Sequence, residues 1–373
     1  MTRERRSGVP LKSIGIFLSA AALAVLPALG ALAQEKLPAR LANDPVAKAL
    51  GAEIVNAAIK EGKVVWYGGN TGQDFLDGGG KERFEKRFGI KVEIISGRLR
   101  GMTDRIRTEA AVGRLTADVY EANDQYMLEL QNLGRLEKWR PPAPLLNEMP
   151  KEVFVREPAG YWWPVHLSAQ ALVVNTNMVK PEDYPKSYLD LLDPKWKGKV
   201  AIRDPRSSGG GAWHMMHVYA NKSLGLDYIK KLKATVEPFI VRGGSRRIRG
   251  AIARGQFAVA FSGRGEFIRD LPKGTPIKFI VPKEGLAWTP SSIALLKGAP
   301  HPNAGKLSLT WFYELENLQL WTENGRPVPL AKIKTPIPEM SVTNYPLMEK
   351  IPDKWLGDPN FFFKEMEKVF GVR

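Results

Sequence analysis

Short apolar segments with strand character alternate with amphipathic helical segments along most of the chain, and this alternation constrains the fold more than any other feature. At this spacing the segments form βαβ units, in which a helix connects two parallel strands. The sequence therefore predicts an α/β fold with a mainly parallel sheet and helices on both of its faces. The predicted strands are Lys63–Tyr67, Ile90–Ile95, Ala117–Glu121, Val165–Val174, Lys199–Ile202, Gln256–Ser262, Ile277–Val281 and Ser291–Leu296.

The helical segments end at recognisable stop signals, such as Gly89 after Phe84 and Phe88. The longest predicted helix is amphipathic and runs without a break from Asn303 to Asn324. The other helical patterns are Leu37–Lys60, Thr103–Val112, Asp124–Leu130, Ala212–Tyr219, Leu226–Lys233, Ser245–Arg254 and Phe363–Phe370.

The stretch from Tyr161 to Gly211 is the candidate site region. It holds the strand Val165–Val174 and a second strand that leads into Asp204–Gly211 and a helix. Both strands deliver small hydroxyl and glycine residues at their ends, where backbone N–H groups and serine hydroxyls can converge. This arrangement is typical of a pocket for a polar small molecule.

The N-terminus has the pattern of a secretory signal peptide. A basic region precedes the apolar run Ile14–Leu29, and Ala31–Ala33 supplies a small-residue cleavage site. We expect cleavage after Ala33 and export to the periplasm; an uncleaved membrane anchor is the alternative. The chain has no cysteine, which excludes a lipid-anchored precursor.

The chain carries a net charge of +16, and its lysines and arginines are spread along it without a long basic block. Residues 1–33 hold four basic residues and one glutamate, so the remaining 340 residues keep a charge of +13. A basic balance fits a nucleic acid, a membrane surface or an anionic solute. Because no basic block is present, we do not expect nucleic acid as a partner.

Several phrases occur in an order that resembles the type II periplasmic solute-binding proteins of ATP-driven importers. The similar subgroup holds the binders of ferric ion, polyamines, thiamine and aminoethylphosphonate, and the resemblance covers about residues 55–330. The phrases are Glu61–Tyr67, Phe84–Val92, Ala117–Val119, Asp190–Val200, Asp204–Gly209 and Ala294–Asn303.

The resemblance implies two α/β lobes joined by two crossing strands, with the ligand in a cleft between them. The crossings correspond to Val165–Val174 and about Ile280–Ile293. Residues 34–165 with 286–330 would form the first lobe, 166–285 the second, and 331–373 a tail that packs on both. It also implies a monomer without a cofactor or a reaction of its own, which delivers solute to an inner-membrane ABC permease with a cytoplasmic ATPase.

The predicted ligand-binding residues are small polar residues at strand ends. Glycines that precede a helix suit an anion, because the unpaired N–H groups and the helix dipole both favour negative charge. The first lobe would supply Asn70, Thr71 and Asp124, the crossings Ser168 and Ser292, and the second lobe Ser207, Ser208, Gly209 and Arg264.

Arg264 decides the predicted ligand class. The ferric members of the resembled family carry two adjacent tyrosines at about this strand end, whereas Phe261–Glu266 contains none. A guanidinium would repel a polyamine but pairs well with phosphonate, phosphate or carboxylate. We therefore expect a small organic anion, with a ferric-ion, polyamine or thiamine binder as the alternative. Pairing of Arg264 with Glu266 or Glu284 on the surface is the competing interpretation.

Metal binding and catalysis are weakly signalled. His214 and His217 share a helical face, but no cysteine or matched carboxylate accompanies them, so packing is the expected role. His166 is likewise expected to be structural. A thiamine-degrading enzyme of this fold would need a nucleophilic cysteine, which the chain lacks. A periplasmic sensor that presents solute to a receptor kinase remains a further alternative.

Overall fold

The computed structural model describes residues 35–154, 159–242, 245–263, 274–324, 326–335, 341 and 343–372. The residues from Lys36 onward form one compact unit. The predicted signal peptide, residues 1–33, and the predicted ligand residue Arg264 lie outside the described residues. Within the described ranges, no helix combines the length and the apolar character needed to cross a membrane.

Nine strands of the described chain form one sheet, in the order β2-β1-β3-β9-β4-β7-β5-β6, with β8 paired to β4. The strands are β1 (Lys63–Gly68), β2 (Lys91–Ser96), β3 (Val119–Asn123), β4 (Trp163–Asn175), β5 (Val200–Arg203), β6 (Phe239–Val241), β7 (Val259–Gly263), β8 (Ile277–Ile280) and β9 (Ala287–Leu295).

The sheet is parallel at its two ends and antiparallel in its middle, so the prediction of a mainly parallel sheet is only partly right. Strands β2-β1-β3 and β7-β5-β6 pair in parallel, as βαβ units require. Strand β4 pairs antiparallel with β9, β7 and β8, and β9 pairs antiparallel with β3. The reason is that β4 and β9 run in opposite directions through both halves of the sheet. They join a first lobe, built on β1–β3, to a second lobe, built on β5–β7, which confirms the predicted fold class.

Thirteen α-helices lie in the described chain. They are α1 (Pro45–Leu50), α2 (Ala52–Glu61), α3 (Asn70–Phe75), α4 (Lys81–Phe88), α5 (Leu99–Ala111), α6 (Asp124–Asn132), α7 (Gly210–Ala220), α8 (Gly225–Val236), α9 (Ser245–Ala253), α10 (Pro302–Phe312), α11 (Leu315–Glu323), α12 (Asp353–Gly357) and α13 (Asn360–Phe370).

The prediction of one continuous helix from Asn303 to Asn324 is wrong in one respect. The segment forms two helices, α10 and α11, with a break between them. Glu314 adopts an extended conformation between them, and the Asn317 amide donates to the carbonyl oxygen of Trp311 across the break. Glu314 also pairs with Arg87 of α4, with Nη2 and Oε1 3.0 Å apart. The apolar stripe continues over both helices, so the periodicity alone did not reveal the break.

An aromatic cluster fills the core of the first lobe beneath β1. Phe312 lies at its centre and is fully buried. Its ring centroid lies 5.9 Å from that of Trp66, 5.2 Å from Phe75, 5.4 Å from Tyr313 and 5.1 Å from Trp321. These tilted and edge-on contacts are the arrangements that aromatic quadrupoles favour.

The C-terminal residues belong to the core of the second lobe. Phe362, Met366 and Phe370 of α13 pack there with Tyr228 of α8, and all four are buried. Arg206 ties the end of the chain to the loop after β5, because its Nη1 donates to the carbonyl oxygen of Gly371 over 2.9 Å. Helix α12 also contacts α6 of the first lobe. The tail therefore packs mainly on the second lobe; the numerical lobe boundaries stay a prediction.

Candidate ligand-binding cleft

A cavity of about 520 Å³ lies where the first lobe, the second lobe and the crossing strands meet. Its wall includes Gly69 and Thr71 from the first lobe, Ser208–Gly210 from the second, and residues of β4 and β9. This volume is in the range of small-molecule sites. The cavity is thus the candidate site.

Four of the predicted ligand residues line this cavity: Thr71, Ser168, Ser208 and Gly209. Asn70 begins α3 beside Thr71. The strand-end rule thus selected four residues of this cavity wall, and ligand contact by these residues stays a prediction.

Three other predicted residues do not lie on the wall. Asp124 is 1% exposed, and its Oδ1 accepts a hydrogen bond from the backbone N–H of Gln125 over 2.9 Å. Ser292 is also 1% exposed, because side chains alternate along β9 and Ser291 is the serine that faces the cavity. Ser207 precedes the lining residue Ser208 and is half-buried outside the wall.

Sequence reasoning selected Arg264 for the site and missed four other arginines. Arg98, Arg100, Arg203 and Arg326 all line the cavity. Among the described lining residues, Glu121 is the one carboxylic acid. Arg203 is the last residue of β5, directly before Asp204, so the strand-end rule that selected the serines could also have selected it. The described lining therefore holds more basic than acidic side chains, although Arg100 is paired with Glu129, with Nη1 and Oε2 3.0 Å apart.

Arg203 lies against the N-terminus of α7. A β-carbon placed on Gly210 would lie 1.7 Å from Arg203 Nη2, so the guanidinium occupies the space that a side chain at 210 would fill. A β-carbon on Gly211 would lie 2.6 Å from the backbone oxygen of Asp204. Gly209 has a φ of +141°, which favours glycine. Glycine is therefore favoured at 209 by the backbone conformation, at 210 by the Arg203 side chain and at 211 by the nearby backbone. Together the three glycines allow the Arg203 guanidinium to lie at the positive end of the 11-residue helix α7.

Glu121 is buried under the loop that follows β1. Its Oε1 lies 2.5 Å from the Ser291 hydroxyl, and its Oε2 accepts a hydrogen bond from the Gly69 N–H over 3.2 Å. Burial raises the pKa of Glu121; the bonds from Ser291 and Gly69 and the charge of Arg326 oppose this rise without cancelling it. Glu121 thus keeps its proton to a higher pH than an exposed glutamate.

The raised pKa of Glu121 gives a prediction for stability against pH. Because the folded state holds this proton more tightly than the unfolded chain, the contribution to stability is full below the ordinary pKa of 4.5 and falls as pH rises through the folded pKa. The variant Glu121→Gln keeps the shape and stays neutral. We expect the melting temperature of the native protein, relative to this variant, to fall as the pH rises above 4.5 and to level off once the pH exceeds the folded pKa. A constant difference in circular-dichroism melts from pH 4.5 to pH 8 would contradict the prediction.

His166 also lines the cavity, which its expected structural role did not predict. The indole Nε1–H of Trp321 donates to His166 Nδ1 over 2.9 Å. Burial lowers the pKa of His166 well below 6.5, so the ring is neutral, and its proton resides on Nε2 because Nδ1 accepts. His166 therefore supports Trp321 and is also a neutral residue of the site.

The histidines considered for metal binding, His214 and His217, are both buried in α7. His214 Nε2 lies 2.6 Å from the Tyr188 hydroxyl, and His217 Nδ1 lies 3.1 Å from the backbone oxygen of Glu349. Among the described residues, no group of three or more His, Cys, Asp or Glu side chains is placed to hold a metal ion.

Curated relatives of the chain carry names that point to different ligands. An uncharacterized protein of Haemophilus influenzae is 24% identical over 74% of this chain and 80% of its own length. Iron uptake protein A1 of Synechocystis is 33% identical over 32% of each chain. A provisionally named 2-aminoethylphosphonate-binding periplasmic protein of Salmonella typhimurium is 25% identical over 45% of this chain and 51% of its own.

Solved structures with a similar fold differ in ligand as well. The periplasmic binding protein AfuA from Actinobacillus pleuropneumoniae, with fructose-6-phosphate bound, has a TM-score of 0.63 and 21% identity over 83% of this chain and 99% of its own. Iron-bound HitA from Pseudomonas aeruginosa has a TM-score of 0.65 and 19% identity over the same shares. At these identities the likeness shows the fold alone.

The family comparison covers well over half of the chain. Residues 117–358 match the family described as bacterial extracellular solute-binding protein. This range contains both crossing strands, strands β5–β7 of the second lobe and most of the cavity wall. The chain therefore belongs to the bacterial extracellular solute-binding proteins and has their two-lobed type II periplasmic fold.

Proposed function

We propose that this protein captures a small organic anion, such as a phosphonate, a phosphate ester or a carboxylate, and delivers it to the membrane permease of an ABC importer. The observation that carries the proposal is the Arg203 guanidinium against Gly210 at the N-terminus of α7. A guanidinium binds phosphate and carboxylate oxygens through two parallel hydrogen bonds, and the helix N-terminus adds backbone donors and a partial positive charge.

The rest of the wall supports an anionic ligand. Arg98 and Arg326 add positive charge to the same cavity, and among the described lining residues the one carboxylic acid is Glu121, whose pKa burial raises. A cavity of about 520 Å³ is also much larger than one water or one ion needs, since a water occupies roughly 30 Å³. The size therefore favours an anion that carries an organic body.

The named ligands of relatives divide between anions and iron. The Salmonella protein and AfuA support a phosphonate or phosphate group, whereas iron uptake protein A1 and HitA support ferric ion. Iron is retained as the second candidate because Tyr126 and Glu121 offer oxygen ligands on the wall. The excess of guanidinium groups on the same wall favours the anion over a polyamine.

Delivery follows from closure of the lobes over the solute. The ligand makes better contacts when both lobes reach it, so binding shifts the equilibrium toward the closed form, which docks on the permease. A sensor that presents the same closed form to a receptor kinase is the competing role. The neighbouring genes distinguish the two, since a permease and an ATPase indicate transport and a sensor kinase indicates signalling.

The test of the ligand class is a thermal-shift screen of the mature protein with organophosphates, phosphonates, carboxylates, ferric citrate and spermidine. We expect the anions to raise the melting temperature. Arg203→Gln should weaken their binding by about 10- to 100-fold, the effect of losing a charged hydrogen-bonding partner. Arg114→Gln, which removes an exposed arginine outside the cavity, is the matched control and should change nothing. A response to ferric ion or spermidine alone would refute the anion assignment.

A further inference from the structure

We infer that the ligand is a polyhydroxylated organic anion, and that His166, Ser168 and Gln170 of β4 form a neutral subsite for its hydroxyl groups. This inference rests on the proposed function, because the arginines would hold the anionic group while the neutral subsite selects the body attached to it. The three residues are uncharged polar side chains on one strand, and the four arginines of the cavity wall come from other segments of the chain.

The three side chains form a row along the cleft. They occupy alternate positions of a strand, so they point to the same side of the sheet. All three line the cavity. Leu167 and Ala169, which lie between them, also contribute to its wall and pack in the apolar core of the first lobe. At about 3.3 Å per residue, the row from His166 to Gln170 spans roughly 13 Å. A body of several carbons with repeated polar groups matches this length.

Gln170 is the observation that points to a ligand. Its side chain is 6% exposed, and its Oε1 has no hydrogen-bond partner among the described residues. Buried amide oxygens in native proteins are normally hydrogen-bonded, because an unsatisfied one carries a desolvation cost. A ligand hydroxyl that donates to Oε1 would remove that cost, whereas an aliphatic carbon would not.

His166 supplies the complementary donor. Its Nδ1 is occupied by the indole of Trp321, which leaves the Nε2–H of the neutral ring for the ligand. The row therefore accepts at Gln170 and donates at His166, and the hydroxyl of Ser168 does either. Hydroxyl groups also donate and accept, so a polyol matches all three, while a second anionic group would find no cation in this row.

Sites built to hydrogen-bond a substrate hydroxyl reject the analogue that lacks it, because their polar groups are then buried without partners. The decisive measurement is isothermal titration calorimetry with matched pairs of anions. Fructose 6-phosphate and sorbitol 6-phosphate are compared with hexyl phosphate, and gluconate is compared with hexanoate. We expect the hydroxylated member to bind at least about 100-fold more tightly. Equal affinity within a pair would overturn this inference and leave the proposed function intact, whereas no binding of any of these anions would overturn both.

Variants of Gln170 and His166 test whether these β4 side chains provide the selectivity for hydroxylated anions. Gln170→Leu removes the amide at nearly the same size, and His166→Asn keeps an acceptor near the Nδ1 position for Trp321 while it removes the Nε2 donor. Each should weaken the hydroxylated anion by about tenfold or more and leave the alkyl anion unchanged. Ser223→Ala, at an exposed serine that does not line the cavity, is the control. An equal loss for both members of a pair would show a merely structural role, and unchanged melting temperatures of the unliganded variants would show that the fold is intact.

Discussion

Replacing Phe312 with alanine is expected to lower the free energy of unfolding by about 3–5 kcal/mol, the usual cost of truncating a buried aromatic residue. The side chain is fully buried and its ring contacts those of Trp66, Phe75, Tyr313 and Trp321. These neighbours come from β1, α3, the break after α10, and α11, so they cannot all move into the space that the ring leaves. A cavity would remain, and its cost adds to the lost transfer free energy.

Urea denaturation followed by circular dichroism measures this effect. Leu315→Ala is the matched control, since Leu315 is a large apolar residue of the adjoining helix that is 44% exposed. It should cost less than about 1 kcal/mol, as truncation at an exposed site usually does. If Phe312→Ala does not fold, Phe312→Leu provides the measurement and should lose a smaller amount in the same direction. Equal losses of unfolding free energy in Phe312→Ala and Leu315→Ala would contradict the central position of Phe312 in the aromatic cluster.

The adjacent glycines of α7 should respond differently to alanine. At Gly211 the new β-carbon would meet the backbone of Asp204 and Arg203 at 2.6 and 2.8 Å, so β5 and α7 must move apart. We expect a stability loss of about 3 kcal/mol, the upper part of the range for overpacking. At Gly210 the close atoms belong to the end of the Arg203 side chain, which can rotate away. That variant should keep its stability and lose about tenfold in anion affinity, because the guanidinium leaves the helix N-terminus.

Thermal melts and calorimetry on the two glycine variants separate these effects. The expected pattern is a lower melting temperature for Gly211→Ala and weaker binding at a native melting temperature for Gly210→Ala. Each variant is the control for the other, since both add one methyl group to the same helix turn. If neither variant bound the anion more weakly than the native protein, Arg203 would not be the residue that anchors the anion.

Strands of four or more residues were predictable from the sequence, including the four-residue strands β5 and β8, whereas the start of β9 and the three-residue strand β6 were not. The continuous apolar run of β4 predicted that strand within two residues at each end. Strand β9 begins at Ala287, four residues before the predicted start, because Thr289 and Pro290 interrupt its apolar pattern. Strand β6 has three residues and was missed, since a segment of that length carries no periodicity. The antiparallel middle of the sheet was likewise hidden, because pairing partners are far apart in the chain.

The sequence placed some residues on the cavity wall and others off it, and their contact with ligand stays a prediction: Ser168 of β4 lies on the wall, whereas Asp124 and Ser207 do not. Thr71, Ser208 and Gly209 follow strand ends, and that position alone indicates a cleft. The choice between Ser291 and Ser292 depends on which face of β9 meets the cavity. Because neighbouring side chains of a strand point to opposite faces, an error of one residue selects the wrong serine. His166 and Gln170 were missed for the same reason. Their environment is set by the lobe that folds over β4, which local sequence does not report.

The order of segments in the two lobes determines when each can fold during synthesis. The first lobe is complete only after β9, α10 and α11 have been made, and these follow the second lobe in the chain. The second lobe in turn needs Phe362, Met366 and Phe370 to close its core. Neither half can therefore finish early while the ribosome is still translating, and the nascent polypeptide stays loose for longer. We expect this late completion to keep the chain competent for the export that the predicted signal peptide implies, until nearly all of the chain exists.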